Sequence, residues 1–407
     1  MLEPFILSHL RIAPYHERSQ LRYLFPDINW QARAIALLGA RGVGKTTLLF
    51  QYAKTEYDDP RRCLYVLGDD ANVLRVELPV LVDAFVAQGG EVLLLDEVHK
   101  YPDWNQVVKN IYDKYPGLQL VISGSSQIDL IRQKYDLSRR LVTYHLRGMS
   151  LREYVNWESG TAIEPVALET LLSDHLAISQ DISQTLHAAK GLPILRQFAD
   201  YLRHGYYPYY RESVGDFPSK LRNAVEKVLY EDIPVIADLP GSSTATLKKL
   251  LSVLGSSQPF TVDITSLANT LGVARPTVYV YLDYLIQAQL LEQARQAGSG
   301  NKSARKPAKL YLHHPNLYYV LGEGLEFSGK LGTIRESFAL NQLHAKHQVT
   351  VPKSGDFLID ERVTLEIGGA AKSARQLKQS VEGYVLSDGI EYGFDKKIPL
   401  YLLGFLY

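Results

Sequence analysis

The chain has 407 residues, room for two to three domains, and its 22% charged and 46% apolar content is that of a globular protein. Its 44 basic and 44 acidic residues cancel, which excludes a globally basic nucleic-acid-coating protein and makes any such signal local. One cysteine excludes an internal disulfide and fits a reducing cytoplasm, the start from Met1 to Arg18 lacks a secretory pattern, and no stretch is long and apolar enough to span a bilayer.

Residues 1–30 read as an amphipathic entry segment, with Leu21, Leu24 and Phe25 as packing positions. From 31 to 150 strand and helix alternate. Candidate strands are Ala34–Leu38, Arg62–Leu67, Val92–Leu95 and Leu118–Ser123, with a fifth near Leu141–His145. This alternation predicts a parallel sheet covered on both faces, with ligands at the carboxyl ends of the strands. Cys63, in the second run, reads as a core residue.

The first strand leads into Gly39-Ala40-Arg41-Gly42-Val43-Gly44-Lys45-Thr46, which satisfies G-x-x-x-x-G-K-[ST], and a helix follows over Thr46–Lys54. Strand, loop and helix are the context that a phosphate-binding P-loop requires. The glycines let the backbone wrap a phosphate chain with its N–H groups inward, and the helix start adds its positive dipole end. Gly39 to Thr47 are the candidate nucleotide contacts. Lys45 reaches the outer phosphates, and the Thr46 hydroxyl ligates Mg²⁺. About fifty residues on, Glu91-Val92-Leu93-Leu94-Leu95-Asp96-Glu97 reads as a buried strand ending in two carboxylates. Asp96 is placed to complete the Mg²⁺ shell, and Glu97 to polarise the attacking water as general base.

Ser123-Gly124-Ser125-Ser126 follows the fourth strand. A small polar residue there can hydrogen-bond the attacking water or the γ-phosphate; an ordinary turn is the alternative. In Asp136-Leu137-Ser138-Arg139-Arg140, an arginine can reach a neighbouring subunit's γ-phosphate; a surface ion pair is the alternative. Residues 151–235 read as helical, interrupted by Gly205-Tyr206-Tyr207-Pro208-Tyr209-Tyr210, an aromatic turn expected to pack rather than bind.

Ile264–Leu271 and Pro276–Gln289 read as two helices joined by Gly272-Val273-Ala274, the spacing of a helix-turn-helix. Leu290-Leu291-Glu292, a polar loop and Lys309-Leu310-Tyr311-Leu312 add a strand, a wing and a strand. From Arg295 to Lys309 the chain carries Arg295, Lys302, Arg305, Lys306 and Lys309 and no acid, and Arg275 opens the second helix. These cations are the candidate DNA contacts, suited to a phosphate backbone. A flexible solvated loop or a protein-docking module is the alternative. In residues 313–407, Glu336 falls in a helix. Asp356–Asp360 and Val363–Ile367 form a hairpin that sets Asp356 and Glu366 on adjacent strands, where two carboxylates can share a divalent metal. Leu400–Leu406 reads as a final strand.

With these residues in hand, the chain resembles a bacterial and archaeal family that joins an AAA+-type ATPase to a C-terminal domain related to PD-(D/E)xK nucleases. Gly39 to Thr47, Leu95-Asp96-Glu97-Val98-His99, Ser123 to Ser126, Asp136 to Arg140 and Ser150-Leu151-Arg152-Glu153-Tyr154 carry the likeness to the ATPase half. Gly332-Thr333-Ile334-Arg335-Glu336 and Gly355-Asp356-Phe357 carry it for the C-terminal half. The resemblance implies an ATPase that forms a homo-oligomeric ring or partial ring, most often a hexamer; together with the residues above, the chain is read as an ATP- and Mg²⁺-dependent ATPase that associates with DNA. In that picture Arg140, with Arg139 as understudy, is the arginine finger, and Ser126 or Ser125 is the sensor. It also implies four parts: an ATPase core (1–150), a helical lid (151–240), a winged helix (241–312) and an α/β restriction-endonuclease-like domain (313–407). That last part departs from the nuclease pattern. Glu366 is followed by Ile367 and Gly368 where Glu-x-Lys is wanted, so cleavage is not expected. Glu336, Asp356 and Glu366 stand as a vestigial site, with Lys372 as the candidate substitute lysine.

Overall fold

The computed structural model describes residues 2–16, 20–57, 59–124, 137, 139–190, 192–234, 241–256, 260–261, 263–298, 308–322, 330–373 and 382–407. They form two compact units, Met1–Gly148 and Met149–Tyr407.

The first unit is built on β1 (Ala34–Leu38), β2 (Cys63–Leu67), β3 (Val92–Asp96), β4 (Gln119–Gly124) and β5 (Val142–His145). These strands match the expected ones to within one residue at either end. They pair in parallel in the order β2-β3-β4-β1-β5. β1 and β3 are buried at every position, as strands covered on both faces must be. The helices are α1 (Glu3–His16), α2 (Lys45–Glu56), α3 (Ala71–Val76), α4 (Leu78–Ala87) and α5 (Trp104–Lys114). Leu64, Leu81, Phe85, Leu93, Val108 and Ile122 belong to one apolar cluster between sheet and helices. Cys63 is in the core, and Leu24 and Phe25 are buried. Leu21 is not: it is 48% exposed, because the entry segment there is not regular helix and imposes no single apolar face. The consequential feature is the order. β4 lies between β1 and β3, and the three run parallel, so their carboxyl ends lie side by side at one edge of the sheet.

The second unit begins with α6 (Leu151–Ser159), whose start is closed by a reciprocal capping box between Ser150 and Glu153. α7 (Leu168–Lys190) and α8 (Ile194–Asp200) follow, then a π-helical turn at Tyr201–Gly205 and a 3₁₀ segment at Pro208–Glu212. Tyr201, Tyr206, Tyr207 and Tyr210 are buried there, so this aromatic stretch does pack. Next come α9 (Phe217–Lys227), α10 (Gly241–Ser256), β6 (Phe260–Thr261), α11 (Ile264–Leu271), α12 (Arg275–Gln287), β7 (Leu291–Gln296) and β8 (Lys309–Leu312). Asp263 caps α11, accepting from the N–H groups of Thr265 and Ser266, and Gly272 ends it at φ 69°. The remainder is α13 (Pro315–Leu321), α14 (Leu331–Leu343), β9 (Val349–Val351), β10 (Phe357–Ile359), β11 (Val363–Gly369), β12 (Gly383–Asp388) and β13 (Lys397–Pro399).

All eight strands from β6 to β13 join one sheet, in the order β13-β12-β11-β10-β9-β7-β8-β6. The seam is short: Arg295 and Gln296 of β7 pair in parallel with Thr350 and Val351 of β9. The expected boundary between 312 and 313 therefore runs through a continuous sheet. The expected strand at Leu400–Leu406 is instead a 3₁₀ helix, Leu400–Phe405, buried throughout. A short apolar run carries no period that separates a buried strand from a buried turn of helix.

Candidate functional site

Gly42 and Gly44 hold φ of 81° and 98°, values that only glycine adopts without strain. A side chain on Gly39 would meet the Leu146 carbonyl oxygen at 2.3 Å. The loop is thus shaped by three glycines, and α2 starts directly behind Gly44. Lys45 is 5% exposed and donates to the carbonyl oxygens of Gly39 and Ala40 over 3.0 and 3.1 Å. Its ammonium also lies 3.8 Å from Oε1 of Glu97. Thr47, the last of the candidate contacts, hydrogen-bonds His16 across 3.1 Å. Arg22, buried and absent from the expected site, donates to the carbonyl of Val43 and to that of Arg147 at 3.0 Å. It braces the loop from behind.

Asp96 ends β3 at 1% exposure. Its Oδ2 accepts from the Thr46 hydroxyl at 2.6 Å and from the Tyr65 hydroxyl at 2.9 Å. Its Oδ1 accepts from the Ser123 hydroxyl and from the Glu97 N–H at 3.1 Å. A hydroxyl and a carboxylate side by side at a helix N-terminus are the hard-oxygen set that Mg²⁺ takes together with phosphate oxygens, so these residues fit that ion. Glu97 sits in the left-handed region at φ 49°, which turns its side chain off the strand line. Around it stand Lys45, His99 Nε2 at 3.6 Å and Lys100 at 3.9 Å. Burial pushes the His99 imidazole below its ordinary value, against the pull of Glu97.

The two remaining ATPase expectations come out differently. Ser125, Ser126, Asp136 and Ser138 lie outside the described residues. Ser123 is the polar residue of that stretch whose place is seen, and it serves Asp96 and the Glu97 N–H (3.2 Å). Arg140 makes a two-pronged pair with Asp113 of α5, at 3.1 and 3.2 Å, within its own unit. Arg139 beside it is exposed.

In the second unit Glu336, Asp356 and Glu366 are each tied to a lysine or to its neighbours. Lys309 donates to Glu336 over 2.9 Å and to Asp356 over 3.1 Å. Tyr311 also donates to Glu336, and the Ile367 N–H donates to Asp356 at 2.8 Å. Lys372 lies 2.5 Å from Glu366. Gly368 explains how it gets there, since a Cβ at 368 would meet the Lys372 stem at 2.7 Å. The position where Glu-x-Lys wants a lysine is an opening through which a later lysine returns. Burial pushes the Glu366 carboxyl above its ordinary value; Asp356 adds to the shift, and Lys372 and Lys309 oppose it. Among the described residues no group of three or more His, Cys, Asp or Glu is arranged to hold a metal. Of the candidate DNA contacts, Lys309 has its ammonium paired with the carboxylates of Glu336 and Asp356. Arg275 and Arg295 are exposed, while Lys302, Arg305 and Lys306 lie outside the described residues.

Residues 31–155 match the family model of an AAA domain, and residues 195–326 match one described as a domain of unknown function, DUF8612. The chain is 29% identical to the uncharacterized protein MJ1637 of Methanocaldococcus jannaschii, over 98% of this chain and 91% of that protein. Among solved structures it is similar to a Thermotoga maritima RuvB variant, at 16% identity over 72% of this chain and 88% of that one, with a TM-score of 0.26. It is also similar to AMPPCP-bound DnaA from Aquifex aeolicus, at 16% identity over 69% and 88%, with a TM-score of 0.26. The first unit thus carries an AAA domain with a P-loop, on an α/β parallel sheet. Among the described residues no helix is long and apolar enough to cross a membrane.

Proposed function

We propose that the chain binds and hydrolyses ATP with Mg²⁺, as a cytoplasmic homo-oligomer, in a ring or partial ring such as a hexamer, that acts on DNA. The observation that carries the ATPase reading is Thr46 and Asp96 in hydrogen-bond contact over 2.6 Å beneath a glycine-shaped loop, with Glu97 next in line. Lys45 would hold the outer phosphates, and Thr46 and Asp96 would hold Mg²⁺, which would supply charge neutralisation for the phosphoryl group being transferred. Glu97 accepts a proton from the attacking water. Arg140 or Arg139 acts in trans on a neighbour's γ-phosphate, and for Arg140 this requires release from Asp113.

The DNA reading draws support from the order α10-β6-α11-α12-β7-β8, which is that of a winged helix. Arg275 and Arg295 are exposed, and Lys302, Arg305 and Lys306 follow Arg295 in the sequence. The C-terminal order, α14 with Glu336, then β9-β10-β11 and a parallel β12, suits a restriction-endonuclease-like fold. Branched DNA in recombination or repair is the substrate class this combination favours, by analogy of fold. An ATP-gated, metal-dependent nuclease is the less favoured alternative, because Lys309 and Lys372 neutralise the carboxylates that a cleaving site would give to metal.

A second reading has its own observation. α12, the helix that would enter a groove, has Arg275 as its one cation and Asp283 opposing it, and it exposes Val280. A neutral helix of this kind suits a nucleotide-operated switch in defence or stress signalling, docking protein rather than DNA. Steady-state ATP hydrolysis decides between them, with Glu97→Gln as the blank, run without DNA and then with single strand, duplex and a four-way junction. Strong stimulation by one form establishes the DNA-coupled motor. Equal rates with all three sink it and leave the switch.

A further inference from the structure

Asp96 takes four hydrogen bonds, and two of them come from groups outside the P-loop pattern, the hydroxyls of Tyr65 and Ser123. They divide the work. Ser123 holds Oδ1 from β4, and Tyr65 holds Oδ2 from β2, on the same oxygen that accepts from Thr46. Tyr65 is itself fixed. Its backbone N–H donates to His9 Nδ1 of α1 at 3.1 Å, and its ring packs on Phe50 of α2 with centroids 4.6 Å apart. The side chain is 4% exposed.

We propose that Tyr65 is a positioning residue for Mg²⁺. It locks the Asp96 carboxylate so that Oδ2 stays turned to Thr46 and the metal shell. This rests on the nucleotide reading above. The physical reason is that a carboxylate next to a metal is oriented by its own hydrogen-bond partners, and losing one such partner costs about tenfold or more in metal affinity. The sequence hides this role, because a tyrosine in Cys63-Leu64-Tyr65-Val66-Leu67 reads as core.

The test is binding of a fluorescent ADP analogue to the full chain, titrated with Mg²⁺ from a metal-free start, for wild type, Tyr65→Phe and Tyr52→Phe. Tyr52 is a comparable buried tyrosine whose hydroxyl donates to Gln119, remote from Asp96. The expected result is unchanged metal-free affinity in Tyr65→Phe, with the Mg²⁺ concentration for half-maximal enhancement raised about tenfold. Tyr52→Phe should leave that concentration in place whatever it does to the thermal midpoint. If Tyr65→Phe follows the wild-type Mg²⁺ curve, Tyr65 only fills the core and the proposal is overturned. If wild type binds no nucleotide at any Mg²⁺ level, the nucleotide reading itself has failed and takes this proposal with it.

Discussion

The ammonium of Lys309 lies 2.9 Å from Oε2 of Glu336, so the first residue of β8 is bound electrostatically to the middle of α14. The same ammonium reaches Asp356, which precedes β10. Three parts of the second unit are therefore joined at one positive charge, close to the seam where β7 pairs with β9.

Replacing Lys309 by Met should leave two half-buried carboxylates without their shared cation. We expect a loss of about 2 kcal/mol in urea unfolding, below the roughly 3–5 kcal/mol of a fully buried pair because the site keeps some solvent contact. Adding Glu336→Gln and Asp356→Asn to Lys309→Met should recover most of it. Unchanged stability in the single variant would show that water replaces the lysine at no cost.

Glu366 makes a signed prediction about pH. Its carboxyl is raised in the folded protein, so the folded state keeps a proton that the unfolded state has released. This contribution to stability is greatest at low pH and declines as pH rises from about 4.5 through the folded value. Lys372 opposes the shift, so Lys372→Met should steepen the decline. Gly368→Ala should act in the same direction by displacing the Lys372 stem. Unfolding free energies measured between pH 4.5 and 8 would show it; parallel curves for all three proteins would refute the coupling.

His9 carries the opposite sign. Burial lowers its imidazole from 6.5 to about 4, so below pH 6.5 the unfolded chain binds a proton that the folded one refuses. Stability is complete above about pH 6.5 and falls progressively toward pH 4, by roughly 3 kcal/mol at most from this one group. His9→Gln, which keeps an acceptor for the Tyr65 N–H, should flatten that slope. The difference in unfolding free energy between pH 7.5 and pH 5, wild type against variant, measures it.

Glu97→Gln should retain nucleotide binding and lose hydrolysis by at least about 100-fold, since the amide cannot take the proton. Lys45→Ala should lose both. Equal loss of binding in the two variants would place Glu97 in binding rather than in the chemical step.

Arg140 and Asp113 can be separated by a pair of substitutions. As a surface pair they are worth at most about 1 kcal/mol, so Asp113→Ala should cost little and leave hydrolysis intact or raised. Arg140→Ala should abolish hydrolysis while sparing binding, if it is the finger; if Arg139→Ala does so instead, the exposed neighbour holds that role.

Much of the first unit was legible because its signals are local. A glycine pattern between an apolar strand and a helix, and an apolar strand ending in Asp96-Glu97, are written in consecutive residues, and the strands fell within one residue of expectation. Leu400–Leu406 failed for a stated reason: a run that is apolar at every position has no period to read. The partner of Arg140 was also beyond local pattern, since Asp113 is 27 residues away and meets it only across the folded surface.

By itself the sequence determined the glycine-shaped P-loop, the paired carboxylates Asp96 and Glu97 at a strand end, and the parallel α/β sheet, because backbone freedom at glycine and the burial of apolar strands act on neighbours along the chain. Only the tertiary structure decided which hydroxyls hold Asp96, how Lys372 returns through the gap at Gly368, and which carboxylates pair with Lys309. Those are matters of charge and hydrogen bonding between residues distant in sequence. Composition cannot assign a lysine to its partner until folding has brought the two within reach and removed enough water for the pairing to count.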